Sequence, residues 1–196
     1  MKRARKSKLI LGSASPRRRE LLSNIYSLKI IAPRIDETVK PRELPSAYIR
    51  RMAKEKWEAV GKKCSAGVLL TADTTVVYAG KIYGKARSAQ EAKQMLRKFS
   101  NRKHWVMTAI AVGRCDLSSN QLKAKLIKTK IRFRNLLEKE IDRYLGSGEW
   151  RGKAGAYAIQ GLAGGFVDRI EGSYTNVIGL PLKESLELIE KLRSQA

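Results

Sequence analysis

The sequence predicts an α/β fold carried by a mixed β-sheet. Apolar runs of strand length alternate with segments of helical period, and both tight hairpin turns and helical crossovers join them, so parallel and antiparallel pairs are expected in one sheet. No internal repeat, low-complexity block or Pro/Gly/Ser linker divides the 196 residues, a length within the range of one domain.

Leu9 to Leu11 reads as a short buried strand. Ser15-Pro16 then opens a helix, with serine at the N-cap and proline at the first helical position; Leu21, Leu22 and Ile25 mark its apolar face. A second strand near Leu28 to Ala32 ends at Pro33. Ser46 is expected to cap a helix running to about Gly61, on which Ile49, Met52, Ala53 and Val60 form an apolar stripe. Val68 to Tyr78 is a long β-branched run that turns at Ala79-Gly80. Ser88 with Glu91 forms a capping box ahead of a helix bearing Ala92, Met95, Leu96 and Phe99 on one face. Strands dominate from His104 to Phe133, Leu136 to Leu145 is helical, and Phe166 to Ile170 is a strand. Pro181 precedes a final amphipathic helix with Leu182, Leu186, Ile189 and Arg193.

A hydrophobic content of 43% with 30% charged residues is globular, and no stretch approaches the roughly 20 apolar residues of a membrane span. The basic start MKRARKSK is followed by LILGSAS, too short for a signal-peptide core, so a cytoplasmic protein is expected. Cys64 and Cys115 are isolated thiols outside any CxxC pair, which argues against a disulfide framework or metal knot. The net charge of +23 attracts nucleic acid, anionic membrane and phosphorylated small molecules alike. Much of it lies in MKRARKSK and in the alternating QLKAKLIKTKIRFR, with no RNP aromatics, zinc-finger spacing or Gly-x-x-Gly clamp beside it. Solvated surface, with nucleic-acid binding at most weak and non-specific, is the reading that follows.

Four features depart from what a fold alone requires. In SASPRRRELL three arginines open a helix whose N-terminus is already electropositive; Arg17 and Arg18 fall on or beside the buried face while Arg19 points away. A bound phosphate would offset that repulsion, and a solvated basic turn is the alternative. Lys56 sits within the apolar stripe of SAYIRRMAKEKWEAVGKK and must either snorkel out or meet an anion. Asp73 interrupts VLLTADTTVVYAG, where an ionised carboxylate has to be paired or bound to metal. With Glu37 in RIDET, Lys56 and Lys85 it makes a mixed set of acids and bases: two carboxylates can hold magnesium while lysines neutralise phosphate oxygens. Finally, the small residues of KAGAYAIQGLAGGF allow a backbone to approach a ligand closely, and Gln160 within it offers an amide to a base edge or to a loop carbonyl. His104, the only histidine, reads as a packed or hydrogen-bonding residue, since no serine or cysteine motif accompanies it.

SASPRRRELL, ADTTVVYAGKIYGKARS, MLRKFSNRKHWVMTAIAV and KAGAYAIQGLAGGFVDRIEGSYTNVIGLPL together resemble the successive motifs of Maf-like proteins, a likeness spanning Leu9 to Leu182. The resemblance implies a single elongated domain over residues 9–196 after a basic tail at 1–8, with a central mixed sheet of the kind shared with inosine triphosphate pyrophosphatases and a cleft between two lobes. It implies hydrolysis of a nucleoside triphosphate to monophosphate and pyrophosphate, with a divalent metal cofactor, Mg2+ or Mn2+, and homodimers as the assembly. By position, Asp73 matches the general base, Ser13, Ser15, Arg17 and Arg18 the phosphate-binding turn, and Glu37, Lys56 and Lys85 the charged positions of the site, with Asp73 and Glu37 as metal ligands. One departure is visible: Gly152 stands where relatives commonly carry an acid. The family's association with inhibition of septum formation supplies a rival reading, a division regulator binding protein or nucleic acid.

Maf-like proteins resemble two main types, one acting on dTTP and UTP and one on 7-methyl-GTP, separated at positions that here are Arg17, Thr74 and Gln160. The methylated-guanine type usually has Trp, Gln and Glu there, an aromatic ring for the cationic base and a carboxylate for guanine's edge. A glutamine amide instead satisfies the carbonyls and ring N–H of uracil or thymine, so dTTP and UTP, with modified pyrimidine nucleotides as an extension, are the expected substrates and 7-methyl-GTP the alternative.

Overall fold

β1 (Lys8–Gly12) has parallel partners on both sides, β2 (Ser27–Ile30) and the start of β3 (Val68–Tyr78). The computed structural model describes residues 7–115 and 122–194. The strand order in the mixed sheet is β2-β1-β3-β5-β6-β7, where β5 is Lys103–Arg114, β6 Lys123–Phe133 and β7 Val167–Glu171; β4 (Lys81–Tyr83) hangs from β3. The helices are α1 (Pro16–Ser23), α2 (Pro45–Gly61), α3 (Ala89–Phe99), α4 (Glu138–Ser147), α5 (Tyr174–Ile178) and α6 (Leu182–Arg193). The chain forms two units, one of Met1–Asp73, Ala109–Leu126 and Gly179–Ala196, the other of Thr74–Thr108 and Ile127–Ile178, so that β3, β5 and β6 each pass from one to the other.

In the first unit, Leu9, Leu11, Leu69 and Leu70 fill the strand layer and Ile49, Met52, Ala53 and Val60 of α2 are almost wholly buried, as the period of that helix predicts. Trp57 packs beneath Gly113, where an added Cβ would stand 2.8 Å from the ring, and its indole donates to Leu69 O at 3.3 Å. Burying an indole of roughly 200 Å2 contributes on the order of 5 kcal/mol. At Gly12 a Cβ would lie 2.5 Å from Thr71 Cγ2, so only glycine lets β1 end against β3 there.

Several boundaries differ from the sequence-based expectation. α1 stops at Ser23, because Ile25 N and Tyr26 N both turn back to Leu22 O; Ile25 is therefore 38% exposed, and Tyr26 takes the buried place expected of it. β2 ends at Ile30, before Pro33. Ser46 does not cap α2: Leu44 is the N-cap and Pro45 fills the first turn, where its missing N–H costs nothing. The expected tail at 1–8 is too long, since Lys8 opens β1, Ser7 O accepts from Ser27 N, and Arg193 donates to Ser7 Oγ and Lys8 O. Residues 1–6 and the start of QLKAKLIKTKIRFR lie outside the described residues. The buried face of α6 is Ser185, Ile189 and Leu192, while Arg193 packs over the Tyr26 ring at 4.8 Å.

In the second unit, β3 and β4 form a hairpin in which Tyr78 pairs with Lys81 across Ala79 (φ 48) and Gly80 (φ 74). Two consecutive left-handed residues make the turn that matches strand twist. Half of the capping box at Ser88 forms: Ser88 Oγ accepts from Glu91 N at 3.1 Å, while the Glu91 carboxylate accepts from Arg87 N at 2.7 Å, one residue before the expected Ser88 N. α4 begins later than expected, at Glu138, with Leu137 N donating to Glu140. A 3-10 turn over Leu162–Phe166 replaces the start of the last expected strand. The core gathers Phe99, Phe133, Tyr144, Tyr157 and Phe166 around His104, which stacks on Phe99 with ring centroids 4.6 Å apart and shares a 2.9 Å hydrogen bond with Tyr157 Oη. His104 is thus a core residue, and burial pushes its pKa down to about 3.

The neutral imidazole is favoured in the folded protein. Between the unfolded value near 6.5 and about 3, only the unfolded chain takes up the proton, so stability falls as pH is lowered through that window, by about 1.4 kcal/mol per pH unit. His104→Gln is expected to shallow the acid limb of the urea-unfolding profile by that slope. An unchanged limb would assign the acid sensitivity to other groups.

Candidate active site

The strand-to-helix turn after β1 is organised by Arg18, which lies 8% exposed at the start of α1. Its Nε donates to Gly179 O at 2.8 Å, and its Nη1 donates to Ala72 O at 2.9 Å and Ser13 Oγ at 3.1 Å. Ser13 Oγ also accepts from Ser15 N at 3.2 Å. One guanidinium therefore ties the turn to the middle of β3, just before Asp73. Burial lowers the Arg18 pKa and the Asp73 carboxylate opposes this most strongly; Arg17 and Glu37 act in opposite senses after it. Arg17 is half-buried and Arg19 exposed, the ordering that 100° per residue gives. Ser15 occupies the N-cap, Pro16 the first turn; the serine side chain makes no capping bond and the first turn holds no acid, so no side chain of the turn offsets the positive end of the helix.

Lys56 projects from the buried face of α2, 7% exposed, and meets two carboxylates, bonding to Asp73 Oδ1 and lying 2.7 Å from Glu37 Oε1. The lysine thus meets an anion rather than snorkelling, and Asp73 is paired within the protein. Asp73 is the more enclosed acid at 14% side-chain exposure, against 46% for Glu37. Glu37 comes from a loop without regular structure between β2 and α2, yet that loop is held: Tyr48 Oη donates to Glu37 O at 3.0 Å and Arg51 Nη2 to Thr38 O at 3.0 Å. Tyr48 and Arg51 escaped the sequence reading. For Tyr48 the signal is the 48, 52, 56 spacing, which places it on the face of Lys56; Arg51, outside that spacing, carries none.

The remaining candidates belong to the second unit. Thr74 Oγ1 shares a 2.9 Å hydrogen bond with Thr108 Oγ1, which donates to Asn176 O at 3.2 Å. Lys85 is exposed, and its backbone bridges that of Ala154. Gln160 is also exposed, at the end of a tightly turned segment in which Gly152, Gly155 and Ala156 have positive φ. At Gly155 (φ 66) a Cβ would stand 2.6 Å from Val76 Cγ2, so that turn requires glycine. Gly152 (φ 68) is likewise left-handed, a conformation an acid there would adopt only with strain.

Lys56 bonds both Asp73 and Glu37, and Arg18 at the start of α1 lies within the field of the same two carboxylates, a charge set suited to a polyphosphate with a counter-cation. The chain belongs to the Maf-like protein family, whose match covers residues 8–192. It is 43% identical over 192 residues to the dTTP/UTP pyrophosphatase of Agrobacterium fabrum, covering 94% of this chain and 91% of that one. Its identity to the dTTP/UTP pyrophosphatase of Hahella chejuensis is 44% over 189 residues, covering 94% and 92%. A solved structure, the Staphylococcus aureus Ham1 protein, is distantly similar, at a TM-score of 0.41 and 13% identity over 65% of this chain and 72% of that one. Among the described residues no helix is long and apolar enough to cross a membrane.

Proposed function

We propose that the chain hydrolyses dTTP and UTP to the monophosphate and pyrophosphate. The observation that carries the reading is Lys56, buried on α2 and shared by Asp73 and Glu37 close to the Arg18 turn, in a chain whose relatives are named dTTP/UTP pyrophosphatases. One ammonium balances one acid; the second acid leaves a net negative charge that a divalent cation would balance, and the arginine-rich turn is suited to the phosphates that such a cation accompanies.

In this reading Asp73 accepts the proton of the water that attacks the α-phosphorus, with pyrophosphate as leaving group. Ser13, Ser15, Arg17 and the first N–H groups of α1 hold phosphate oxygens; Lys56 and Lys85 neutralise them. Glu37 and Asp73 each turn one carboxylate oxygen to Lys56 Nζ and would hold Mg2+ or Mn2+ through the other, since such cations commonly take one or two carboxylates together with substrate phosphates. Bound there, the cation supplies charge neutralisation at the phosphate oxygens. Arg17, Thr74 and Gln160 are assigned to base preference. A homodimer in the cytoplasm is the proposed setting.

A nucleotide panel with Mg2+ or Mn2+ and a pyrophosphate readout tests this. Turnover of dTTP and UTP above that of purine nucleotides, CTP and 7-methyl-GTP is expected. Gln160→Glu should lower kcat/KM for dTTP and UTP more than any residual activity on 7-methyl-GTP, since a carboxylate would oppose a pyrimidine carbonyl. A wild-type preference for 7-methyl-GTP, or no turnover alongside RNA retention at moderate salt, would overturn the proposal.

A further inference from the structure

Glu37 is the weak point of the site as built: it sits on a loop with no strand or helix of its own, and its side chain is nearly half exposed. Ordering such a loop costs about 1–2 kcal/mol per residue, so its geometry must be held by specific bonds. The first two turns of α2 supply them. Tyr48 and Arg51 grip two consecutive carbonyls, Glu37 O and Thr38 O, each at 3.0 Å. Fixing the Glu37 carbonyl fixes the peptide plane that follows the Glu37 Cα, one of the two planes that set the direction in which its side chain leaves the backbone, and the grip on the Thr38 carbonyl holds the next plane. The grip is itself braced. Arg51 Nε and Nη2 form a fork on the two oxygens of Glu43, each at 2.6 Å, and Glu43 in turn accepts from Lys40 N at 3.0 Å. Asp36 Oδ1 takes both the N–H and the hydroxyl of Thr38, closing the turn on the other side. Arg51 also lies over the Tyr48 ring, 5.6 Å from its centroid.

Lys56 stands on the same helix as these two donors, which makes α2 a ruler: one end holds the Glu37 loop, the other the ammonium that Glu37 meets. We infer that Tyr48 and Arg51 are positioning residues that aim Glu37 at Lys56 and Asp73 and thereby set the affinity of the site for its divalent cation. The inference rests on the proposed use of Glu37 in the pyrophosphatase site. Arg51 carries the larger share of the fold, because its fork satisfies Glu43; Tyr48 contributes one hydroxyl whose removal leaves the ring in place.

The test measures Mn2+ binding by electron paramagnetic resonance, with a dTTP analogue bearing an imido bridge between the α- and β-phosphorus, alongside kcat and KM for dTTP. Tyr48→Phe is expected to weaken Mn2+ binding and lower kcat by about fivefold each, the worth of one hydrogen bond, with KM for dTTP held within about twofold. Arg51→Lys, which keeps the charge and loses the fork, should act in the same direction. In a Glu37→Gln background, Tyr48→Phe should have no further effect, because what it positions is gone. Wild-type Mn2+ affinity in both single variants, or effects that persist undiminished in the Glu37→Gln background, would overturn the inference while leaving the pyrophosphatase reading intact. Wild-type binding and turnover in Glu37→Gln itself would remove the role of Glu37 and the inference with it.

Discussion

Asp73→Asn is expected to keep the fold and lose about a thousandfold in kcat on dTTP and UTP. The side chain is 14% exposed, bonded to Lys56, and at the point where β3 leaves the first unit. Asparagine fills the same space and still accepts from the lysine. What would disappear is the negative charge that, in the proposed function, takes a proton from water and helps to hold a cation. Circular dichroism and steady-state kinetics on one preparation separate the two effects, and a folded variant with near-wild-type turnover would remove Asp73 from the chemistry.

Arg18→Lys is expected to destabilise the protein by about 3 kcal/mol while leaving its net charge unchanged. Three acceptors from three separate segments, Ser13, Ala72 and Gly179, are held by one planar fork. An ammonium on a shorter stem cannot span them, and each buried acceptor left without a donor costs on the order of 1–3 kcal/mol. Urea unfolding measures the loss, and a shift under about 0.5 kcal/mol would show that water replaces the guanidinium without cost. Activity should fall with stability, since the turn that Arg18 braces also carries Ser15 and Arg17.

Much of this was legible in the chain. Lys56 in an apolar stripe and Asp73 in a β-branched run announced themselves because each breaks a local rule, and in the structure each resolves the other. The order of Arg17, Arg18 and Arg19 about the helix axis followed from period alone. The role of Arg18 within the protein did not: its partners Ala72 and Gly179 lie 54 and 161 residues away, and backbone carbonyls leave no trace in sequence. Ile25 lies off the helix because the apolar periodicity continues past the point where the helix stops, at Asn24, its C-cap. Ser46 was misread because serine beside proline suggests a cap, while Pro45 itself fills the first turn. The spacing puts Tyr48 on the face of Lys56 without naming its partner, and Arg51 is an ordinary helix residue by sequence; the path of the Glu37 loop gives both their task.

The central claim is attack by water at the α-phosphorus to release pyrophosphate, and hydrolysis of dTTP in oxygen-18 water tests it most directly. The account expects one labelled oxygen in dTMP and none in pyrophosphate. Label in the pyrophosphate, or in inorganic phosphate released with dTDP, would place the attack elsewhere and contradict it.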